Sequence, residues 1–346
     1  GAETVAHSLV TKVREHCAQL EGVKRRVTAS VGVATFAAAA AREVDPLALA
    51  DMLLYDAKEA GRNQHAVLDA GGTGQPRSGA RLEWMARIEQ AIEEDLFELY
   101  LQPILDVRTD KVVAAEALLR LVDRGDPVSP SRFVHIAERA GIAPELDRWV
   151  VRNGVATLAR LHEREPDLTL EINLSAHSIG DPAVERELLE ALERHGVPGH
   201  RLVVEATETA AVSDVSAARA FSQRLAAMGI RVAIDDFGAG FGSFYYLKHL
   251  PFDIVKIDGE FVAAAHTSHV DRAILGSIVG IARKLGKETI AEFVSQPAVL
   301  DVVRELEVDQ AQGYLIGEPV PLDEFVAKHL GGGTAGWTTG GPHPPR

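Results

Sequence analysis

Two hydrophobic rhythms divide the chain. Between residues 82 and 330, short stretches of alternating apolar positions are separated by longer ones with apolar residues three and four apart. The first rhythm predicts strands and the second amphipathic helices. After a helix over 82–94, strands are expected over 98–104, 112–118, 168–174, 202–206, 230–235, 253–257, 289–293 and 310–315. Punctuation marks the helices between them. Asp181 and Pro182 open one whose stripe is Val184, Leu188 and Leu192 and whose stop is Gly196. A second carries Ala218, Phe221, Leu225 and Met228 before Gly229, and a third Ile274, Ile278, Ile281 and Leu285 before Gly286. Eight strands with helices between most of them, in about 250 residues, have the size and rhythm of an α/β TIM-like (β/α)8 barrel. A short polar turn over 107–111 is all that joins the first two strands, which favours an antiparallel first strand.

Residues 1–68 read as helix, strand, helix, strand, a small incomplete α+β segment. The first helix is expected over 4–20, a strand over 27–33, and a second helix over 47–60 with Leu47, Ala50, Asp51, Leu54 and Ala57 at helical spacing before Gly61. So few elements make a thin core. Residues 69–81, rich in glycine, read as a flexible linker, and 331–346, rich in Gly, Thr and Pro, as a disordered tail.

Composition narrows the function classes. Hydrophobic content of 46% and charged content of 25% are ordinary for a globular chain. No run approaches the roughly 18 to 20 apolar residues of a membrane span, and no secretory signal opens the sequence. Cys17 is the single cysteine, which excludes an internal disulfide and fits a cytoplasmic setting. A net charge of -14 argues against binding a nucleic-acid polymer, which depends on clustered Lys and Arg.

The chemistry-bearing residues collect at the ends of the expected strands, where barrels of this kind carry their active sites. They are Glu116, Asn173, Glu205, Asp235 with Asp236, Lys256 with Asp258, Glu292 and Gln312. Hard oxygen donors without His or Cys point to Mg2+ or Mn2+, and so many carboxylates to two ions. Each residue alone has a structural explanation: a helix-start carboxylate, a turn cap, or an ion pair of Lys256 with Asp258 or Asp236. Their joint placement on one barrel favours a site. Glu171, on the same strand face as Asn173, is left without a role. The Gly238, Gly240 and Gly242 loop after Asp236 has the freedom to move or to approach a ligand.

Glu116-Ala117-Leu118-Leu119-Arg120 resembles the motif that names the EAL domain family of cyclic di-GMP phosphodiesterases. It is followed in order by Asn173-Leu174-Ser175, Glu205-Ala206-Thr207-Glu208, Asp235-Asp236-Phe237-Gly238, Lys256-Ile257-Asp258, Ala291-Glu292-Phe293-Val294 and Gln312-Gly313-Tyr314. The resemblance covers about 82–325. It implies one metal ion on Glu116, Asn173, Glu205 and Asp235, and a second on Asp235, Asp236 and Glu292. Lys256, supported by Asp258, would orient and deprotonate the attacking water. Gln102, Leu118, Arg120, Asp236 and Gln312 would contact substrate or water, and Glu208 would hold the glycine loop. The implied reaction is hydrolysis of cyclic di-GMP to linear pGpG, with a homodimer through the barrel; Ca2+, a larger and more loosely coordinated ion, is expected to misplace the water and inhibit. Ser295 stands where the family usually has a second glutamate, and is expected to cap the next helix. The alternative is a non-catalytic cyclic di-GMP receptor. Residues 28–34, 50–58 and 61–63 resemble the second half of a GGDEF domain without its signature loop, the cut end of a longer protein or a remnant, so no cyclase activity is expected.

Overall fold

A computed structural model describes residues 2–15, 17–20, 23–26, 28–36, 50, 53–54, 57–58, 63–68, 76–122, 127–130, 133–207, 215–238 and 250–330. Two compact units emerge, one formed by residues 1–94 and 131–142, the other by 95–130 and 143–346.

In the first unit the opening helix is Ala2–Glu15, ending earlier than its expected limit at 20. Cys17–Leu20 and Val23–Arg26 pair as an antiparallel hairpin instead. The next strand, Val31–Ala34, lies later than the expected 27–33 and pairs in parallel with His65–Leu68. Gly32 shows why that strand needs a glycine, since a Cβ there would come within 2.1 Å of Ala50 O and Leu54 N. Most of the helix expected over 47–60, Gly61, and 69–75 of the expected linker lie outside the described residues, as does 331–346. Residues 76–81 of that linker belong to the helix Pro76–Glu93, which packs on Val134–Ala140 through the stacked rings of Trp84 and Phe133.

The second unit is a closed barrel. Its strands are β1 Phe97–Asp106, β2 Lys111–Leu121, β3 Thr169–Asn173, β4 Leu202–Thr207, β5 Arg231–Phe237, β6 Ile254–Ile257, β7 Glu288–Ala291 and β8 Gln310–Gln312. They neighbour one another in chain order, and β8 closes on β1. From β2 to β8 every pairing is parallel, whereas β1 is antiparallel to both neighbours, as the short turn required. Asp106 makes that turn by accepting from both the Thr109 N–H and hydroxyl at 2.7 Å. A two-residue strand, β9 Val320–Pro321, extends the pairing along β1.

Helix punctuation is largely as read. Asp181 Oδ1 accepts from Ala183 N at 2.7 Å to cap Pro182–His195, and Gly196 ends it at φ 64°. The helix Val215–Ala227 buries Ala218, Phe221 and Leu225 and stops short of Met228. The third stripe is rotated from its expected face: His269–Lys284 buries Leu275, Ile278, Val279 and Ala282, leaving Ile274 36% and Leu285 46% exposed.

Inside the barrel, Ile104, Ala114, Val203, Ala233, Ile254 and Ile290 form one buried layer. Side chains two apart on a strand share a face. Two residues on from each of the parallel-strand members stand Glu116, Glu205, Asp235, Lys256 and Glu292, and two before Ile104 on the reversed β1 stands Gln102. An apolar floor thus lies directly beneath a polar layer at one end of the barrel.

Candidate active site

Lys256 is the centre of that polar layer. It is fully buried at the C-terminal end of β6, and its Nζ lies 2.7 Å from Glu205, 3.2 Å from Glu116, 3.2 Å from Glu292 and 3.7 Å from Asp235. Around it, Glu116 Oε1 accepts from Asn173 Nδ2 at 2.6 Å and Glu116 Oε2 from Gln312 Nε2 at 2.6 Å. Gln312 Nε2 also donates to Gln102 Oε1 at 3.1 Å, and Gln102 Nε2 to the Gly317 carbonyl at 3.1 Å. Every barrel strand therefore contributes to one connected layer, with Glu292 just past the end of β7. Gly317 is an anchor that strand-end reading had no means of finding.

Asp235 and Asp236 reach the site through an irregularity. Adjacent residues of a regular strand face opposite ways. Here the pairing of β5 with β6 runs Ile234↔Val255 and then Phe237↔Ile257, so two residues of β5 oppose one of β6. Asp236 takes up the bulge at φ 54°, a left-handed conformation that short polar residues tolerate best. Consequently Asp235, Asp236 and Glu292 each place a carboxylate oxygen within 4.8 Å of the others.

Arg120 and Leu118 share the strand face of Glu116 by alternation, nearer the barrel mouth. Arg120 donates to the Leu119 carbonyl and lies 5.4 Å from the Tyr100 ring centroid. Glu208 and residues 239–249 lie outside the described residues.

Two expectations about neighbours fail. Asp258 caps its own helix by accepting from Glu260 N at 2.6 Å and is not among the ion-pair partners of Lys256, because residue 257 intervenes and the chain turns into the helix Gly259–Ala263. Ser295 is exposed, and the cap position of Pro297–Glu305 is Gln296, which makes no side-chain capping bond.

Electrostatics follows from burial among like charges. Burial alone would lower the Lys256 pKa, but Glu116, Glu205, Asp235 and Glu292 hold it well above the ordinary lysine value. Surrounded by these carboxylates, its charged form is favoured in the metal-free protein, where it donates to Glu116 and Glu205. Burial also raises Glu116, yet Lys256 and the bonds from Gln312 and Asn173 outweigh it and keep this carboxyl low. Burial and then Glu116 push Glu205 far up. Burial raises Glu292 to about 8 with help from Asp235, against the pull of Lys256. Glu171 lies beneath Glu205, 1% exposed, and is raised mainly by burial.

The residues fit divalent cations. Glu205 Oε1 and Asp235 Oδ1 are buried without hydrogen-bond partners. Fully ionised, Glu116, Glu205, Asp235, Asp236 and Glu292 outnumber the Lys256 ammonium by the charge of two such ions. All donors are oxygens, as Mg2+ and Mn2+ prefer.

A mixed barrel with one reversed strand thus carries a carboxylate–lysine layer at its mouth, the end where barrels of this kind place their active sites. The EAL domain family model matches residues 85–319, and the chain belongs to that family. It is 34% identical over 302 residues to the cyclic di-GMP phosphodiesterase PdeB of Shewanella oneidensis, covering 87% of this chain and 35% of that one. It is 32% identical over 330 residues to the cyclic di-GMP phosphodiesterase NbdA of Pseudomonas aeruginosa, covering 94% and 42%. The chain thus spans less than half the length of these curated relatives. Among solved structures, the Xanthomonas citri FimX EAL domain in complex with c-diGMP superposes with a TM-score of 0.67 at 27% identity, over 71% of this chain and 96% of that one.

Proposed function

We propose that this chain hydrolyses cyclic di-GMP to linear pGpG. The observation that carries this reading is the placement of Asp235, Asp236 and Glu292 within 4.8 Å of one another beside a layer linking Glu116, Asn173, Glu205 and Lys256. Glu116, Asn173, Glu205 and Asp235 would hold one Mg2+ or Mn2+, and Asp235, Asp236 and Glu292 a second. Bound there, such ions acidify water and offset the charge that builds on a phosphodiester under attack. Arg120 offers its guanidinium to a phosphate oxygen. Gln312 and Asn173 hold both oxygens of Glu116, so that ligand is aimed before any cation arrives. Lys256 Nζ donates, orienting water and keeping the carboxylates from repelling one another. Water adds to phosphorus, one P–O ester bond breaks, and the departing ribose oxygen takes up a proton.

Ser295 supports a second reading, a receptor that binds cyclic di-GMP without turning it over, because it places a neutral, exposed side chain where the family resemblance calls for a carboxylate. Chromatography of cyclic di-GMP incubated with the purified chain and Mg2+ or Mn2+ separates the two. Accumulation of pGpG is the expected result; binding with no pGpG at any metal concentration would replace the enzyme by the receptor.

A further inference from the structure

The helix Ala143–His162 packs along β3, and a short turn joins the two, so they run antiparallel. Gly154 permits the close approach, since a Cβ there would come within 3.0 Å of Ile172 Cγ2. Val151, Gly154 and Leu158 form a buried stripe on the helix, and Asp147 stands one turn before Val151 on the same stripe. An apolar residue is expected there. Asp147 is instead a carboxylate 6% exposed, a placement that costs free energy unless its oxygens are bonded.

Those bonds lie beside the proposed metal cluster. Asp147 Oδ2 accepts from Ser175 N at 2.9 Å and from the hydroxyl of the fully buried Ser178 at 2.6 Å. Asn173 is the last residue of β3, where the pairing with β4 ends at Asn173↔Glu205. Leu174 N still donates to Glu205 O at 3.1 Å. The next amide, that of Ser175, turns to Asp147, and the single turn Ala176–Ser178 follows. The main chain around Asn173 is thus held by β4 on one side and by Asp147 on the other. From that position Asn173 Nδ2 donates to Glu116 Oε1 at 2.6 Å, which leaves Oδ1 as the amide atom able to ligate a cation.

We propose that Asp147 is a positioning residue: from the helix behind β3 it holds the turn after Asn173 and so aims the Asn173 amide at the cation this residue would share with Glu116, Glu205 and Asp235. The inference rests on the proposed reading of those four residues as one metal site. A ligand whose main chain is fixed on both sides has little freedom left to lose when an ion binds, and releasing one side weakens binding. A carboxylate suits the task, because its charge-assisted bonds to an amide and a hydroxyl are stronger than those of a neutral acceptor.

Isothermal titration calorimetry of the whole metal-free chain with Mn2+, beside thermal melting in chelator, separates this role from packing. The binding step that Asn173→Ala weakens is the one to read. Asp147→Ala should raise its Kd about ten-fold. Asp147→Asn can still accept from Ser175 N and donate to Ser178 Oγ, so its Kd should stay within about two-fold of the parent. Both variants should melt below the parent, having lost charge-assisted bonds, so that Kd and melting part company in the Asn variant. In an Asn173→Ala background, Asp147→Ala should change that Kd no further. A role in packing alone would lower the midpoint and leave Kd at the parent's value. That result overturns the proposal, as does a ten-fold loss that persists in the Asn173→Ala background. Should Asp147→Ala fail to fold, Ser178→Ala takes its place: it removes one of the two bonds and should raise Kd about three-fold, and an unchanged Kd overturns the proposal. A parent that binds no Mn2+, or an Asn173→Ala variant that binds it as the parent does, overturns the reading of the site, and the proposal falls with it.

Discussion

Raising the pH should destabilise the metal-free protein, and Glu292 is the group that shows why. Burial and Asp235 hold its carboxyl at about 8, against an ordinary 4.5. Between those values the unfolded chain has released the proton and the folded chain has kept it. Unfolding then releases a proton, and stability falls as pH rises, by up to about 1.4 kcal/mol per pH unit. Across the whole window the loss approaches about 5 kcal/mol at most, shared with Glu205, which burial and Glu116 displace in the same direction. His329, lowered by burial, works with the opposite sign below its ordinary 6.5. The informative quantity is therefore the difference between the parent and Glu292→Gln. Urea denaturation in chelator from pH 5 to 8.5, followed by circular dichroism and by the fluorescence of the buried Trp149, supplies it. The parent should lose stability relative to the variant as pH rises, and saturating Mg2+ should abolish that slope by replacing the proton. A difference that is flat, or that grows in the parent's favour, refutes the account of the carboxylate layer.

Lys256→Met removes the only ammonium paired with Glu116, Glu205, Asp235 and Glu292 among the described residues. It should cost about 3–5 kcal/mol in chelator at pH 8, with partial recovery in Mg2+, as read by denaturant titration. Glu116→Gln and Asp235→Asn should each lower turnover of cyclic di-GMP by more than about 100-fold with an unchanged circular dichroism spectrum; near-normal rates in either would misplace the metal site. Gly313→Ala forces a Cβ to within 2.3 Å of the Val294 backbone at φ 153°, so it should destabilise by about 1–3 kcal/mol, more than Gly196→Ala, whose surroundings are open. Asp181→Ala should cost about 1 kcal/mol through loss of the Ala183 cap.

The barrel was legible because its two signals are local and repeated. Alternation marks each strand, and a polar residue two positions beyond an apolar one marks where the interior meets the mouth, as in Ala114–Glu116, Val203–Glu205 and Ile254–Lys256. Partners were less legible because they are set by level across strands and not by nearness along the chain. Lys256 meets Glu205 from β4 and Glu292 after β7, whereas Asp258, two residues away, has already entered a helix. The face of His269–Lys284 was misread for a different reason: apolar residues occur on more than one side, and packing alone chose Leu275 and Val279 over Ile274.

What no periodicity shows is where the backbone abandons regular geometry. Asp236 and Phe293 share φ 54° and Gly313 stands at 153°, and each directly follows a residue of the polar layer, Asp235, Glu292 and Gln312. At Asp236 the departure turns a second carboxylate toward the first, and at Gly313 it lets β8 approach the Val294 backbone. Each of these has a visible structural return. Phe293 shows none among the described residues: its ring is 67% exposed, and it lies across Gly259, which has no side chain to meet it.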